Sequence, residues 1–153
     1  MKNLGIYIVL CIIFFFTDII FSQNYEIQKT GKVIVKVEKL RNDKGIVRSH
    51  IYNIPSTFPR ETEKALKKAA VKIKDKSATI TFDNLPYGTY AVDIHHDENN
   101  DGNMNRSFLG YPKEGFGLSN NPKLSLSVPN FDQCKFTLND TVKIITIYVK
   151  YLP

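Results

Sequence analysis

Nine consecutive residues hold most of what this chain could do chemically. Asp97-Glu98-Asn99-Asn100-Asp101-Gly102-Asn103-Met104-Asn105 sets oxygen-bearing side chains at alternate positions, with glycine at the sixth. This is the first half of a calcium loop, D-x-N-x-D-G-x-x-N. A calcium ion takes about six to eight oxygens, and a chain curling around it can offer every second side chain while glycine permits the sharp turn. The twelfth position, where such loops place a bidentate Glu, is Phe108; Glu114 is the nearest later carboxylate able to close the shell. The candidate metal ligands are therefore Asp97, Asn99 and Asp101, Asn103 through its backbone carbonyl, and Glu114. The competing reading is an Asn/Asp/Gly-rich turn whose side chains cap their own backbone.

Other reactive residues add little. His95 and His96 are neighbours, and adjacent strand residues point to opposite faces, so they are poorly placed to chelate one ion together. His96 could join Asp97 and Glu114 as a transition-metal ligand, the basis of an alternative reading as a metal-dependent hydrolase. Its plainer role is a core-end histidine hydrogen-bonded to loop backbone. Cys134 shares the apolar face of its expected strand with Phe136 and Leu138 and has no nucleophile signature around it, which reads as a buried, inert thiol. No catalytic residue is assigned, and no phosphate loop, nucleophile elbow or zinc-protease motif occurs.

Charge narrows the partners. The chain has 21 Lys+Arg against 15 Asp+Glu, yet Ser77 to Asn105 contains no Lys or Arg and carries Asp83, Asp93, Asp97, Glu98 and Asp101. The basic residues elsewhere alternate along strands, a solvated-face pattern and not the basic-aromatic interleaving that reads nucleic acid. Tyr87, Tyr90, Phe108, Tyr111 and Phe116 punctuate the acidic Gly-rich stretch; gathered into a cleft, they would suit a peptide or carbohydrate at residues 97–121.

These residues need a scaffold. Lys32 to Leu40, Ile46 to Tyr52, Ala78 to Phe82, Thr89 to His96, Phe131 to Leu138 and Val142 to Tyr151 alternate apolar and polar residues in the manner of strands, separated by turn signals such as Asn42-Asp43-Lys44-Gly45. A short helix is expected near 58–70, because Phe58, Ala65, Leu66, Ala69 and Ile73 fall at helical spacing. Val71 to Lys76 can equally be a strand with Val71 and Ile73 inward, and a long Gly-rich loop is expected over 97–130. About seven short strands predict an all-β antiparallel sandwich. At the N-terminus, Met1-Lys2-Asn3 followed by the apolar run from Leu4 reads as a signal peptide over 1–22, leaving one domain over 23–153. A secreted or periplasmic location follows as the expectation, with no membrane span after cleavage.

The run Leu85-Pro86-Tyr87-Gly88-Thr89-Tyr90-Ala91-Val92 resembles the turn-and-strand of transthyretin-like sandwich modules, such as the regulatory domains of carboxypeptidases. Continued through His96-Asp97-Glu98-Asn99, Gly102 and Gly110-Tyr111-Pro112-Lys113-Glu114-Gly115-Phe116-Gly117-Leu118-Ser119-Asn120-Asn121, it closely resembles the uncharacterised bacterial family called domain of unknown function 2141. The resemblance implies export and a sandwich fold, and it supplies no activity. Family members tend to carry Asp where this chain has Asn105, which removes one charge from the loop. The combined expectation is an exported, non-enzymatic binding or accessory module with a calcium-organised loop; a metal-dependent hydrolase and a structural envelope protein are the alternatives.

Overall fold

The computed structural model describes residues 28–123 and 127–152; the leader expected over 1–22 lies outside them. Among the described residues, eight strands form two sheets. Strands β1 (Thr30–Glu38), β4 (Ala78–Pro86) and β8 (Val142–Tyr148) make a three-stranded sheet in the order β4-β1-β8. Strands β2 (Ile46–Tyr52), β3 (Lys67–Lys72), β5 (Gly88–Asp97) and β6 (Gly115–Leu118) make the other, in the order β3-β2-β5-β6, with β7 (Phe136–Leu138) pairing the start of β5. All neighbours run antiparallel except β1 and β8, which run parallel.

The core between the sheets follows from period-two patterning. Val33, Val35 and Val37 of β1 meet Ile80, Phe82 and Leu85 of β4, Val47 and Ile51 of β2, and Val92 and Ile94 of β5. Each such side chain contributes about 1.5–3 kcal/mol on burial. Gly117 permits the close approach of β6, because a Cβ there would meet Ile147 Cγ2 at 2.6 Å. A second apolar cluster covers part of the outer face of the larger sheet. Tyr52, Phe58, Ala91, Leu118, Phe131 and Cys134 form it, with Phe58 edge-on to Tyr52 at 5.3 Å and to Phe131 at 6.0 Å.

The expected helix near 58–70 does not form. Two short 3₁₀ turns, Pro55–Thr57 and Thr62–Lys64, lead instead into β3. The reason is the edge of β2, whose backbone β3 pairs from Ile46↔Lys72 to Ile51↔Lys67. Alternation then turns Ala69, Val71 and Ile73 onto the core while Lys68 and Lys72 stay exposed. Period-two burial and strand pairing prevail over the apolar residues that happened to fall at helical spacing.

The expected loop over 97–130 is interrupted by β6, and the expected strand over 131–138 is divided. Its first part is a one-turn helix, α1 (Phe131–Cys134), held by an Asn130/Gln133 capping box. Cys134 therefore joins the outer cluster, while Phe136 and Leu138 join the main core. Burial raises the Cys134 thiol pKa to about 11. Among the described residues, no helix is long and apolar enough to cross a membrane.

Candidate functional site

Strand β5 places the site. Its inward residues Tyr90, Val92, Ile94 and His96 are all buried, and its outward residues include Asp93, His95 and Asp97. Opposed on β2, the outward side chains of His50 and Arg48 stand across from Asp93 and His95. Asp93 accepts from the His50 backbone N–H at 3.0 Å and from the Tyr52 hydroxyl at 3.1 Å, and its Oδ1 lies 2.8 Å from His50 Nδ1. One turn of the pleat further along, Arg48 Nε donates to Asp97 Oδ2 at 2.6 Å.

Asp97 ends the strand and starts the loop. Its carboxylate accepts from the Asp101 N–H at 3.1 Å and the Gly102 N–H at 2.9 Å, so the chain curls around it. Gly102 has φ +82°, the left-handed backbone that favours glycine. Asn99 Oδ1 accepts from the Asp101 N–H at 3.2 Å, and Asp101 Oδ1 accepts from the Asn103 N–H at 2.7 Å. These are the side-chain-to-own-backbone turns that the competing sequence reading describes. Arg48 also donates to Asn100 Oδ1 at 3.1 Å, gripping the loop from β2.

Glu114, at the entry to β6, is brought over the loop and is almost fully buried. Oε1 accepts from the Glu98 N–H at 3.0 Å, and Oε2 accepts from the Asn105 N–H at 3.0 Å. One carboxylate thus fastens both ends of the stretch. His95 Nε2 lies 2.9 Å from Glu114 Oε2. Donor atoms of His95, Asp97 and Glu114 all lie within 4.8 Å of one another.

His96 takes no part. It is fully buried on the inward face, with Nε2 donating to the Lys44 carbonyl at 2.8 Å and Nδ1 2.7 Å from the Tyr151 hydroxyl. The structure brings His95 to Asp97 and Glu114, and both nitrogens of His96 are engaged elsewhere. His95 had a readable signal, because residues two apart on a strand share a face and Asp97 is two beyond it. Arg48 had none, since its place at Asp97 depends on the β2–β5 register.

The electrostatics follow from two arginines. Burial alone would raise the carboxyls of Asp97 and Glu98. Arg48 and the Gly102 N–H outweigh it at Asp97, and Arg41 with Asn42 outweighs it at Glu98, so both lie below the usual carboxylate range. Arg41 Nε donates to Glu98 Oε1 at 2.6 Å.

The five aromatics around the loop do not gather into one cleft. Tyr90 is in the core with its hydroxyl donating to the Pro86 carbonyl, Tyr87 packs against that core, and Phe108 and Tyr111 are exposed. Phe116 lines a small pocket with Leu118, Pro122 and Tyr148.

The family described as "Uncharacterized protein conserved in bacteria (DUF2141)" matches residues 35–146, nearly three quarters of the chain. The chain belongs to the DUF2141 family. The matched span runs from the middle of β1 into β8 and includes the whole loop with Asp97, Asp101 and Glu114. No curated protein and no solved structure matches this DUF2141 chain.

Proposed function

We propose that this DUF2141 chain is an exported, non-enzymatic binding or accessory module whose 97–105 loop takes up calcium. The observation that carries the reading is the position of Glu114. The half motif lacks its closing carboxylate in sequence, and the fold brings one over the loop, fastened to the amides of Glu98 and Asn105. A carboxylate offers about four acceptor positions, and Glu114 and Asp97 each have three engaged. Each keeps one for an ion, alongside Asp101, Asn99 and the Asn103 carbonyl. The loop's donors are hard oxygens, which favours calcium over a nitrogen-seeking transition metal. Arg48 already offsets the charge of Asp97, so the loop keeps its curl without the ion.

Calcium binding only the folded chain stabilises it by about 2.7 kcal/mol at a hundredfold excess over Kd. The melting temperature is therefore expected to rise with calcium, and Asp101→Ala to abolish the rise. Asp101→Ala is the cleaner variant because Asp97 also anchors Arg48. Magnesium, which demands a tight octahedron, is expected to do much less. An unmoved melting curve at millimolar calcium overturns the reading.

A second reading rests on the proximity of His95, Asp97 and Glu114, a mixed donor set of the sort that binds zinc or iron for hydrolysis. Stabilisation by zinc but not calcium, lost in His95→Ala, is the result that would favour it.

A further inference from the structure

Beyond the metal loop the chain forms a hairpin whose tip has no contact explaining its composition. Phe108, Leu109 and Tyr111 show 103%, 76% and 57% exposure, more than any other large apolar residue described. They fall within four positions, between the exposed cations Arg106 and Lys113. A Cβ placed on Gly110 would meet nothing within 4 Å, so the tip projects clear of the body.

The projection is built and not slack. Arg106 and Pro112 form an antiparallel bridge, and the Lys113 N–H donates to the Asn105 carbonyl at 2.8 Å. The Ser107 N–H donates to the Tyr111 carbonyl at 2.8 Å, and the Gly110 N–H donates to the Ser107 carbonyl at 2.9 Å. The Tyr111 N–H donates to Ser107 Oγ at 3.1 Å, and Arg106 Nη1 donates to the Gly110 carbonyl at 3.0 Å. At the base, Glu114 holds the Asn105 amide.

We infer that this tip is a membrane-docking device, inserting Phe108 and Leu109 into the interface of a bilayer containing anionic phospholipid. Four properties converge. The apolar pair sits at the apex, where it meets the acyl boundary first. Tyr111 stands at its side, and an amphipathic ring favours the headgroup level. Arg106 and Lys113 flank the apex, positioned for lipid phosphates. The internal hydrogen bonds of Ser107, Gly110 and Tyr111 hold the tip in shape, so docking has little new backbone to order. Most of the neighbouring acidic charge is offset, because Asp97 pairs with Arg48, Glu98 with Arg41, and Glu114 lies against His95. Exposed Asp101 is left as the charge that Arg106 and Lys113 must outweigh. A protein partner is less suited: a stable interface needs roughly 800 Å² per side, and a convex tip of three apolar residues offers far less.

The chain contains no Trp and eight Tyr, so Phe108→Trp supplies a lone tryptophan at the apex, excited selectively at wavelengths that tyrosine does not absorb. Added to vesicles of phosphatidylcholine and phosphatidylglycerol, this variant is expected to shift its emission to the blue and to be quenched by brominated acyl chains. Co-sedimentation of the otherwise native chain is expected to fall at least tenfold in Phe108→Ser/Leu109→Ser. Lys113→Gln, which leaves the bonds of the tip in place, should weaken it about fivefold, with the loss confined to anionic vesicles. Unshifted emission in the presence of vesicles overturns the inference, as does undiminished sedimentation of the double Ser variant. A blue shift that grows with protein concentration in vesicle-free buffer also overturns it, assigning the tip to self-association.

Discussion

The inward and outward faces of β5 share one backbone and meet opposite requirements. Inward, Tyr90, Val92 and Ile94 pack into the main core, and His96 ends the row with both nitrogens bonded inside the protein. Outward, Asp93, His95 and Asp97 are each held by a partner from another element: His50 and Tyr52, Glu114, and Arg48. The inward histidine is closed to ligands, while the outward row keeps charged oxygens at the rim of a loop. The charged groups of β5 therefore gather on the face that the second sheet does not cover, in ion pairs and hydrogen bonds beside the outer apolar cluster.

The largest effect expected from that contrast is on the inward side. Ile94→Ala removes methyl groups from a filled core and should cost about 2–5 kcal/mol, the range for such truncations. Chemical denaturation would measure it. Asp93→Asn, one residue away and outward, keeps an acceptor for the Tyr52 hydroxyl and should cost clearly less. If the two variants lost equal stability, the two faces would not differ as described.

How far the sequence showed this division depends on the kind of contact. The alternation of Tyr90, Val92, Ile94 and His96 is a local period, so the inward row and the all-β class could be read directly. The loop was legible for the same reason, since every second residue from Asp97 to Asn105 is acidic, amide or backbone-donating within a few positions. Only the end of β3, from Val71, could be read as a strand. Its start was hidden because Phe58, Ala65, Leu66, Ala69 and Ile73 mimic helical spacing, and what decides their fate is the edge of β2 some twenty residues earlier. Arg48 was hidden more deeply, because its pairing with Asp97 is a property of register between strands. Cys134 was expected to be buried with Phe136 and Leu138. It is buried, but α1 carries it to the opposite side of the sheet.

A middle-sized effect probes the loop's fastening. Glu114→Ala leaves the amides of Glu98 and Asn105 and the ring of His95 without their acceptor. Stranding partly buried donors in this way costs about 1–3 kcal/mol. Global stability should fall by that order, while hydrogen exchange at the Glu98 and Asn105 amides should quicken well beyond that of β5. Glu114→Gln retains one carbonyl oxygen and should protect one of the two amides. Unchanged exchange at both would show that the loop is held by Asp97 alone.

The smallest effect is a change of slope, and it separates the faces without relying on the size of any single loss. Asp97 and Glu98 have folded-state pKa values below the usual range because Arg48 and Arg41 outweigh the burial that would raise them. A carboxyl depressed on folding contributes stability that is fully present above its unfolded pKa of about 4 and is lost as the pH falls through the lower folded value. Unfolding free energy of the native chain should therefore decline as the solution is taken below about pH 4. Asp97→Asn removes one of the depressed carboxyls, so its decline should be shallower, although it starts from a lower stability at neutral pH. Ile94→Ala alters no charge, and its curve should run parallel to that of the native chain, displaced downward at every pH. Parallel curves for Asp97→Asn would show that the Arg48 pair does not couple folding to protons, and the outward face would then be no more than a polar version of the inward one.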